Sequence, residues 1–270
     1  MTTKVHAYTV NAFTTALFGG NPAAVVPVVS PMSDELMQAI AEQHNLSETA
    51  FPEYLGPDRY QLRWFTPTKE VPLCGHATLA TAFALDYRGD WRGETLTFET
   101  ASGKLTVQRL NDALCVEFPS VPMAAIDHLA AVEQALGVDV MSMHQPEENA
   151  WQMVCELANQ AAVEACDPDF SALAEATALG VAVTAKGDTH DFVSRFFIPQ
   201  LGINEDPVTG SAHCQLTPFW AAKLGKSGLV ARQLSSRGGD LTCELKGNRV
   251  QLSGNCSLFA EGVLHLPSAE

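Results

Sequence analysis

Cations are scarce in this chain: 16 Lys and Arg stand against 31 Asp and Glu, a formal charge of −15, and no Lys/Arg cluster interrupts the deficit. A nucleic-acid partner would therefore find no electrostatic footprint. Long apolar runs are also missing, since no stretch nears the roughly 18 uninterrupted apolar residues of a membrane span. The N-terminal Met1-Thr-Thr-Lys-Val-His6 passes into a strand-like Ala7-Tyr-Thr-Val10 with no signal-peptide core, so no membrane association is expected and the cytoplasm is the expected location. The seven cysteines, at 74, 115, 155, 166, 214, 243 and 256, form no C-x-x-C pair and no regular spacing. That excludes a disulfide framework and the common zinc patterns; buried reduced thiols and no metal are expected. A metal site drawn from His190, His213, Cys214 or Glu205 would match no common ligand spacing. There is no Walker loop, heptad repeat or low-complexity tract, and Gly19-Gly20-Asn21 and Arg237-Gly-Gly239 are too short for nucleotide loops, so no cofactor is expected.

What the chain does contain is an echo of itself. Arg63-Trp-Phe-Thr-Pro67 followed by Cys74-Gly-His-Ala77 is answered by Arg195-Phe-Phe-Ile-Pro199 followed by Thr209-Gly-Ser-Ala212. The first block repeats at an offset of 132 residues and the second at 135, so the second copy has a longer loop, which contains Glu205-Asp-Pro207. In both copies an aromatic strand leads through a loop to a glycine that opens a helix, a geometry that offers backbone N–H groups to an anion. With 270 residues and 46% hydrophobic composition the chain is long enough for two such halves.

Residue patterns give each half many strands and one buried helix. Strands are expected over 5–13, 21–29, 47–51 and 61–65, with a Ser33-capped helix over 33–43 whose Leu36, Met37, Ile40 and Ala41 share a face. The segment Ala77 to Leu85 is apolar around most of its circumference and must be a helix buried on nearly all sides. Strands at 95–99, 104–109 and 113–118 complete a first half, residues 1–119, closed by Pro119-Ser-Val-Pro122. The second half, 120–270, has helices over 129–136, 170–179 and 211–224, and strands at 149–157, 192–198, 242–246, 249–253 and 257–266. The expected class is α+β, with two pseudo-symmetric halves.

Three polar residues stand out. Glu48, in Asn45-Leu-Ser-Glu-Thr-Ala-Phe51, is a carboxylate at a strand position among apolar neighbours, where it must be paired, pocketed or a turn cap. His76 follows a glycine at a helix start, where the dipole disfavours the imidazolium. Asp206, ahead of Pro207, has the pattern of an N-cap followed by proline at the first helical position. Cys74 precedes a helix start and could be a low-pKa nucleophile, but it lies too near His76 in sequence to face it as a nucleophile–base pair, and it reads as pocket wall.

Six segments in order resemble the PhzF-like phenazine-biosynthesis family, relatives of diaminopimelate epimerase. They are Phe18-Gly-Gly-Asn-Pro-Ala-Ala-Val-Val26, Ser47-Glu-Thr-Ala-Phe51, Arg63-Trp-Phe-Thr-Pro67, Glu70-Val-Pro-Leu-Cys-Gly-His-Ala-Thr78, Glu205-Asp-Pro-Val-Thr-Gly-Ser-Ala-His213 and Gln233-Leu-Ser-Ser-Arg-Gly-Gly239. The resemblance implies two pseudo-symmetric domains, each a mixed sheet or barrel wrapped around a central helix, with the active site in the cleft between them, and a homodimer. It further implies a cofactor-independent isomerase of a small carboxylated metabolite, with Glu48 as general acid/base and His76 and Asp206 as polar partners. Gly75, His76, Gly210 and Ser211 would supply the amides that hold a substrate carboxylate, beside Cys74. Diaminopimelate epimerases use one cysteine from each half; here the equivalents are Cys74 and Thr209, which disfavours a two-thiol mechanism. The alternatives are a non-catalytic small-molecule binding protein and, last, a Cys74-dependent hydrolase.

Overall fold

A computed structural model describes residues 2–146 and 151–267; of the strand expected over 149–157, Asn149 and Ala150 lie outside the described residues. The chain divides into two compact units, Met1–Glu117 with Ser253–Glu270, and Phe118–Leu252. The expected division at 119/120 stands two residues past the first crossing, between Glu117 and Phe118. It misses the return at the C-terminus: the last strand, expected in the second half, pairs along its length with the first strand of the chain, from Thr2 opposite Pro267 to Ala12 opposite Cys256.

Unit 1 contains β1 (Thr2–Ala12), β2 (Asn21–Val25), α1 (Asp34–His44), β3 (Glu48–Gly56), β4 (Arg59–Phe65), β5 (Glu70–Val71), α2 (Gly75–Tyr87), β6 (Thr95–Thr100), β7 (Gly103–Leu110) and β8 (Ala113–Pro119). Unit 2 runs through β9 (Met123–Ile126), α3 (Ala130–Leu136), β10 (Ser142–Pro146), β11 (Gln152–Glu156), α4 (Gln160–Ala165), α5 (Phe170–Ala176), β12 (Gly180–Lys186), β13 (Phe192–Ile198), β14 (Ile203–Glu205), α6 (Gly210–Leu224), β15 (Gly228–Gln233), β16 (Gly239–Lys246) and β17 (Arg249–Gly254); β18 (Cys256–Pro267) belongs to unit 1.

The two ladders repeat one pattern. In unit 1, β1–β2 is antiparallel, β2–β3 parallel, β3–β4 antiparallel, β4–β6 parallel and β6–β7 antiparallel. In unit 2, β10–β11, β11–β12, β12–β13, β13–β15 and β15–β16 follow the same order of senses. The short strands β5 and β14 each pair with the aromatic strand before them. The duplication seen in a few motifs thus extends to the whole ladder.

Each unit holds one helix buried on all sides. In α2, residues 76–82 are all buried, and the helix packs on β1, β2 and β3. Its interior hydroxyls bond back to their own helix, Thr78 Oγ1 to the Cys74 carbonyl at 2.5 Å and Thr81 Oγ1 to Ala77 at 2.7 Å. A polar group can be buried at low cost only when so satisfied. In α6, Pro218 lies inside the helix and donates nothing to the carbonyl one turn earlier. That carbonyl, Cys214, instead accepts from the Val121 amide at 3.0 Å, so the helix continues through the proline.

Other helices cover the outside of each unit. On α1, Met37, Ile40 and Ala41 pack against Val5, Ala7, Val26, Phe51 and Phe65, and burying side chains such as Met37 and Ile40 contributes roughly 1.5–3 kcal/mol apiece. The Ser33 side chain caps this helix by accepting from the Leu36 amide at 3.3 Å; Ser33→Ala would cost about 1 kcal/mol. In unit 2, α3 and α5 seal Val132, Leu136 and Leu173 against Val181, Val183 and Phe197. Strands β12 and β15 fall where no strand was expected, and helix α5 stops at Ala176 rather than 179. The run Gly180-Val-Ala-Val is buried on both faces and shows no alternation that could announce a strand. All seven cysteines are free thiols, six of them buried. Among the described residues no helix is long and apolar enough to cross a membrane.

Candidate active site

In unit 1 the site forms where β2, β3 and the start of α2 meet. Gly20 has φ +66, and a Cβ there would lie 2.2 Å from the Ala12 carbonyl oxygen, so only glycine lets the chain turn tightly enough to bring Asn21 into β2. Because β2 and β3 run parallel with Ala23 opposite Glu48, the acid begins a strand whose next residues, Thr49, Ala50 and Phe51, are all buried. Glu48 itself keeps 16% of its side-chain surface.

His76 is the second residue of α2 and is buried. Its Nε2 lies 3.2 Å from Glu48 Oε2, within ion-pair reach but short of hydrogen-bond alignment. Its Nδ1 lies 3.2 Å from Asn21 Nδ2 and 3.5 Å from Cys74 Sγ. Burial drives the imidazole pKa down to about 3, so the ring is neutral across the physiological range. Neutrality was expected from the helix dipole; loss of solvent is the dominant cause.

The expectation that Cys74 and His76 cannot face one another is corrected here. Cys74 is the N-cap of α2 with extended backbone, φ −146 and ψ 114, which swings its thiol back over the first turn toward the ring. The thiol does not thereby acquire a strong base. An imidazole with a pKa near 3, whose Nδ1 already has an amide donor, takes a proton from a thiol poorly. This weakens the hydrolase alternative.

Glu48, Cys74 and His76 bring carboxylate, thiol and imidazole donors within 4.8 Å of one another. The thiol faces Nδ1 and the carboxylate faces Nε2. One donor atom from each residue lies close enough to the other two to share a cation, and the same closeness suits the passage of protons.

Unit 2 presents its own helix start with different groups. The expectation that Asp206 caps this helix is corrected, because the N-cap is Thr209. Its hydroxyl donates to Asp206 Oδ2 at 2.5 Å and so does not cap the helix. Gln233, fully buried on β15, fixes the arrangement: its Oε1 accepts from the Thr209 amide at 2.8 Å while its Nε2 donates to the Asp206 carbonyl at 2.7 Å. Neither Cys74 nor Thr209 makes a side-chain cap hydrogen bond. The first amides of each helix, including Gly75, His76, Gly210 and Ser211, have no intrahelical acceptor and carry the positive end of the dipole.

Asn21 and Gln233 were not singled out from sequence as site residues. Each is a neutral amide at an end of a strand, and only the three-dimensional pairing gives it a target. Arg63 and Arg195, the cations of the echo, each grip an acid on the short strand ahead of the helix start: Arg63 forks onto Glu70 at 2.8 and 2.7 Å, and Arg195 onto Glu205 at 2.7 and 3.0 Å.

A family model described as PhzC-PhzF, phenazine biosynthesis-like protein, matches residues 10–262. A Pseudomonas aeruginosa protein named an uncharacterized isomerase is 47% identical over 97% of this chain and 99% of its own length. The crystal structure of a PhzF-family phenazine biosynthesis protein from Enterococcus faecalis superposes with a TM-score of 0.93 at 45% identity, covering 98% of this chain and all of that one. A predicted epimerase from Pseudomonas aeruginosa, 20% identical over 96% of this chain and 99% of its own, shares the fold with a TM-score of 0.70.

Proposed function

The chain belongs to the PhzC-PhzF phenazine biosynthesis-like family, and from that premise we propose that it is an isomerase that moves a proton within a small carboxylated metabolite, using Glu48 as general acid/base. The observation that carries the reading is the contact of Glu48 with a neutral, buried His76 at the uncapped start of α2. The name of the Pseudomonas aeruginosa relative, an isomerase, is in line with it.

The chemistry follows from the groups present. A substrate carboxylate at the α2 start meets amides and a helix dipole that compensate its charge locally in an acidic chain. Glu48 removes a proton from a carbon beside the carboxylated or conjugated centre. The electron pair delocalises toward the bound anion, which the same amides stabilise as charge grows there. The resulting carboxylic acid returns its proton to another carbon of the delocalised system, so the substrate gains and loses nothing. His76, neutral, offers a dipole to Glu48 and adds no competing charge. Asp206, with its Thr209 hydrogen bond, is a polar support and moves no proton in this scheme. No metal or organic cofactor is required, because the carboxylate supplies both base and acid.

A screen of carboxylated metabolites for thermal stabilisation, followed by NMR of the hits in deuterium oxide, tests the reading. Solvent deuterium is expected at carbon in the recovered product. Glu48→Gln keeps the shape and removes the base, so turnover is expected to fall about 1000-fold with ligand binding kept. Turnover unchanged in that variant would sink the mechanism, and binding without exchange at any pH would favour a non-catalytic binding protein.

A further inference from the structure

We infer that Asn21 is a positioning residue that fixes the tautomer of His76, holding the proton on Nε2, the ring nitrogen on the Glu48 side. The side-chain amide of Asn21, fully buried at the first position of β2, turns Nδ2 toward the ring at 3.2 Å from Nδ1. An amide nitrogen donates and cannot accept. Nδ1 must therefore present its lone pair, and in a neutral ring the single proton then sits on Nε2. Nε2 is the nitrogen that lies 3.2 Å from Glu48 Oε2, within ion-pair reach though not aligned as a hydrogen bond. The groups facing the ring are Asn21 from β2, Glu48 from β3 and Cys74 from its own chain segment. Of these, the thiol can donate to Nδ1 as well, which points to the same tautomer.

The device matters because the opposite tautomer would reverse the partnership. A bare Nε2 lone pair facing Glu48 would favour the protonated carboxylic acid, whereas an Nε2–H favours the carboxylate that must act as base. The backbone supports the arrangement: Gly20, where a side chain would strike Ala12 and Thr14, directly precedes Asn21. In unit 2 the buried histidine near the helix start is wired the other way. His213 Nδ1 lies 2.8 Å from the Thr209 carbonyl oxygen, which can only accept, so there the proton sits on Nδ1.

The tautomer assignment stands on the contact alone; its consequence for turnover rests on the proposed role of Glu48. Long-range nitrogen–proton NMR of the imidazoles in the intact protein reads the two separately. The wild-type His76 is expected to show Nδ1 as an unprotonated, acceptor-type nitrogen and Nε2 as protonated, and a protonated Nδ1 overturns the inference without recourse to any variant. In Asn21→Asp the new carboxylate can only accept, so Nδ1 is expected to gain a proton; an Nδ1 that stays unprotonated in the folded variant also overturns it. On a substrate found by deuterium exchange, Asn21→Leu is expected to lower kcat about tenfold with KM kept, the signature of a group felt in the chemical step. An unchanged kcat, with the wild-type tautomer as assigned, would remove Asn21's influence on turnover. The proposed isomerase would then stand or fall on Glu48→Gln alone.

Discussion

Glu48 and Gly180 occupy the same register position in their respective units. Phe51 lies opposite Arg63 on β4, and Val183 lies opposite Arg195 on β13; three residues back along β3 and β12 stand the glutamate and the glycine. The parallel neighbours agree, with Ala23 beside Glu48 and Gln152 beside Gly180. The duplicated ladder thus carries a carboxylate in one copy and no side chain in the other. At Gly180 a Cβ would come within 2.4 Å of the Phe196 ring, so this position in unit 2 has been closed by an aromatic. The helix starts remain uncapped in both. What the two units share is an uncapped helix start, and what separates them is the carboxylate that carries the proton in the proposed mechanism. That is the pattern expected if one acid shuttles a proton and two matched bases are not used.

The buried histidines give the largest test of this contrast. His76 in unit 1 has a pKa near 3 and His213 in unit 2 one near 4, both through burial; the Thr209 carbonyl, by accepting from His213, offsets part of the shift there. Each folded value lies below the unfolded 6.5, so between the two the unfolded chain binds more protons. Stability is therefore full above about pH 6.5 and is lost as pH falls toward 4 and 3. The two sites together are expected to remove on the order of 6 kcal/mol between pH 7 and pH 4. Urea unfolding at several pH values measures this, and His213→Gln should flatten the slope by nearly half. A slope unchanged in that variant would contradict the assignment of a neutral buried ring.

A smaller effect should separate the two arginine forks. Arg195 and Glu205 keep 14% and 20% of their side-chain surfaces, and Arg195 Nη1 also donates to the Cys166 carbonyl. Arg63 and Glu70 keep 24% and 38%, with Asp34 as a further, exposed partner. Removing one member of the more buried pair leaves a charge without its partner in poor solvent. Arg195→Met is expected to cost about 3 kcal/mol, and Arg63→Met about 1 kcal/mol, because water screens and replaces the lost contact. Equal losses by urea titration would mean that the second fork is no more buried in energy than the first.

Much of this was legible in sequence because duplication leaves paired signals. The echo of Arg63 and Arg195 located both aromatic strands, and the apolar circumference of Ala77 to Leu85 announced a helix buried on all sides. Glu48 and His76 were found as polar residues in apolar company, and the structure brings them into contact. The rest depends on long-range pairing. Asn21 and Gln233 are ordinary amides until a strand end meets a helix start. Asp206 looked like a cap because Asp-Pro so often opens a helix, but Pro207 and Val208 intervene and Thr209 takes the position. The return of β18 to unit 1 is invisible locally, since a strand's sequence does not say which distant edge it joins. The strand at 180–186 lacked alternation because both its faces are buried.

The smallest predicted effect bears on the contrast most directly. If the glycine at 180 reflects closure by Phe196, then adding a single methyl group there must hurt, while removing the whole carboxylate at the matching position in unit 1 must not. Gly180→Ala is expected to destabilise by about 2 kcal/mol, since Phe196 is itself almost wholly buried and cannot swing away. Glu48→Ala is expected to change stability by less than about 1 kcal/mol, because the acid is partly solvated and its histidine neighbour is already neutral. The double variant Gly180→Ala with Phe196→Leu should then cost less than the two single changes added together, as the shortened side chain vacates the space the methyl needs. Strict additivity would mean that Phe196 is not what excludes a side chain at 180. The absence of an acid at 180 would then need a cause other than packing.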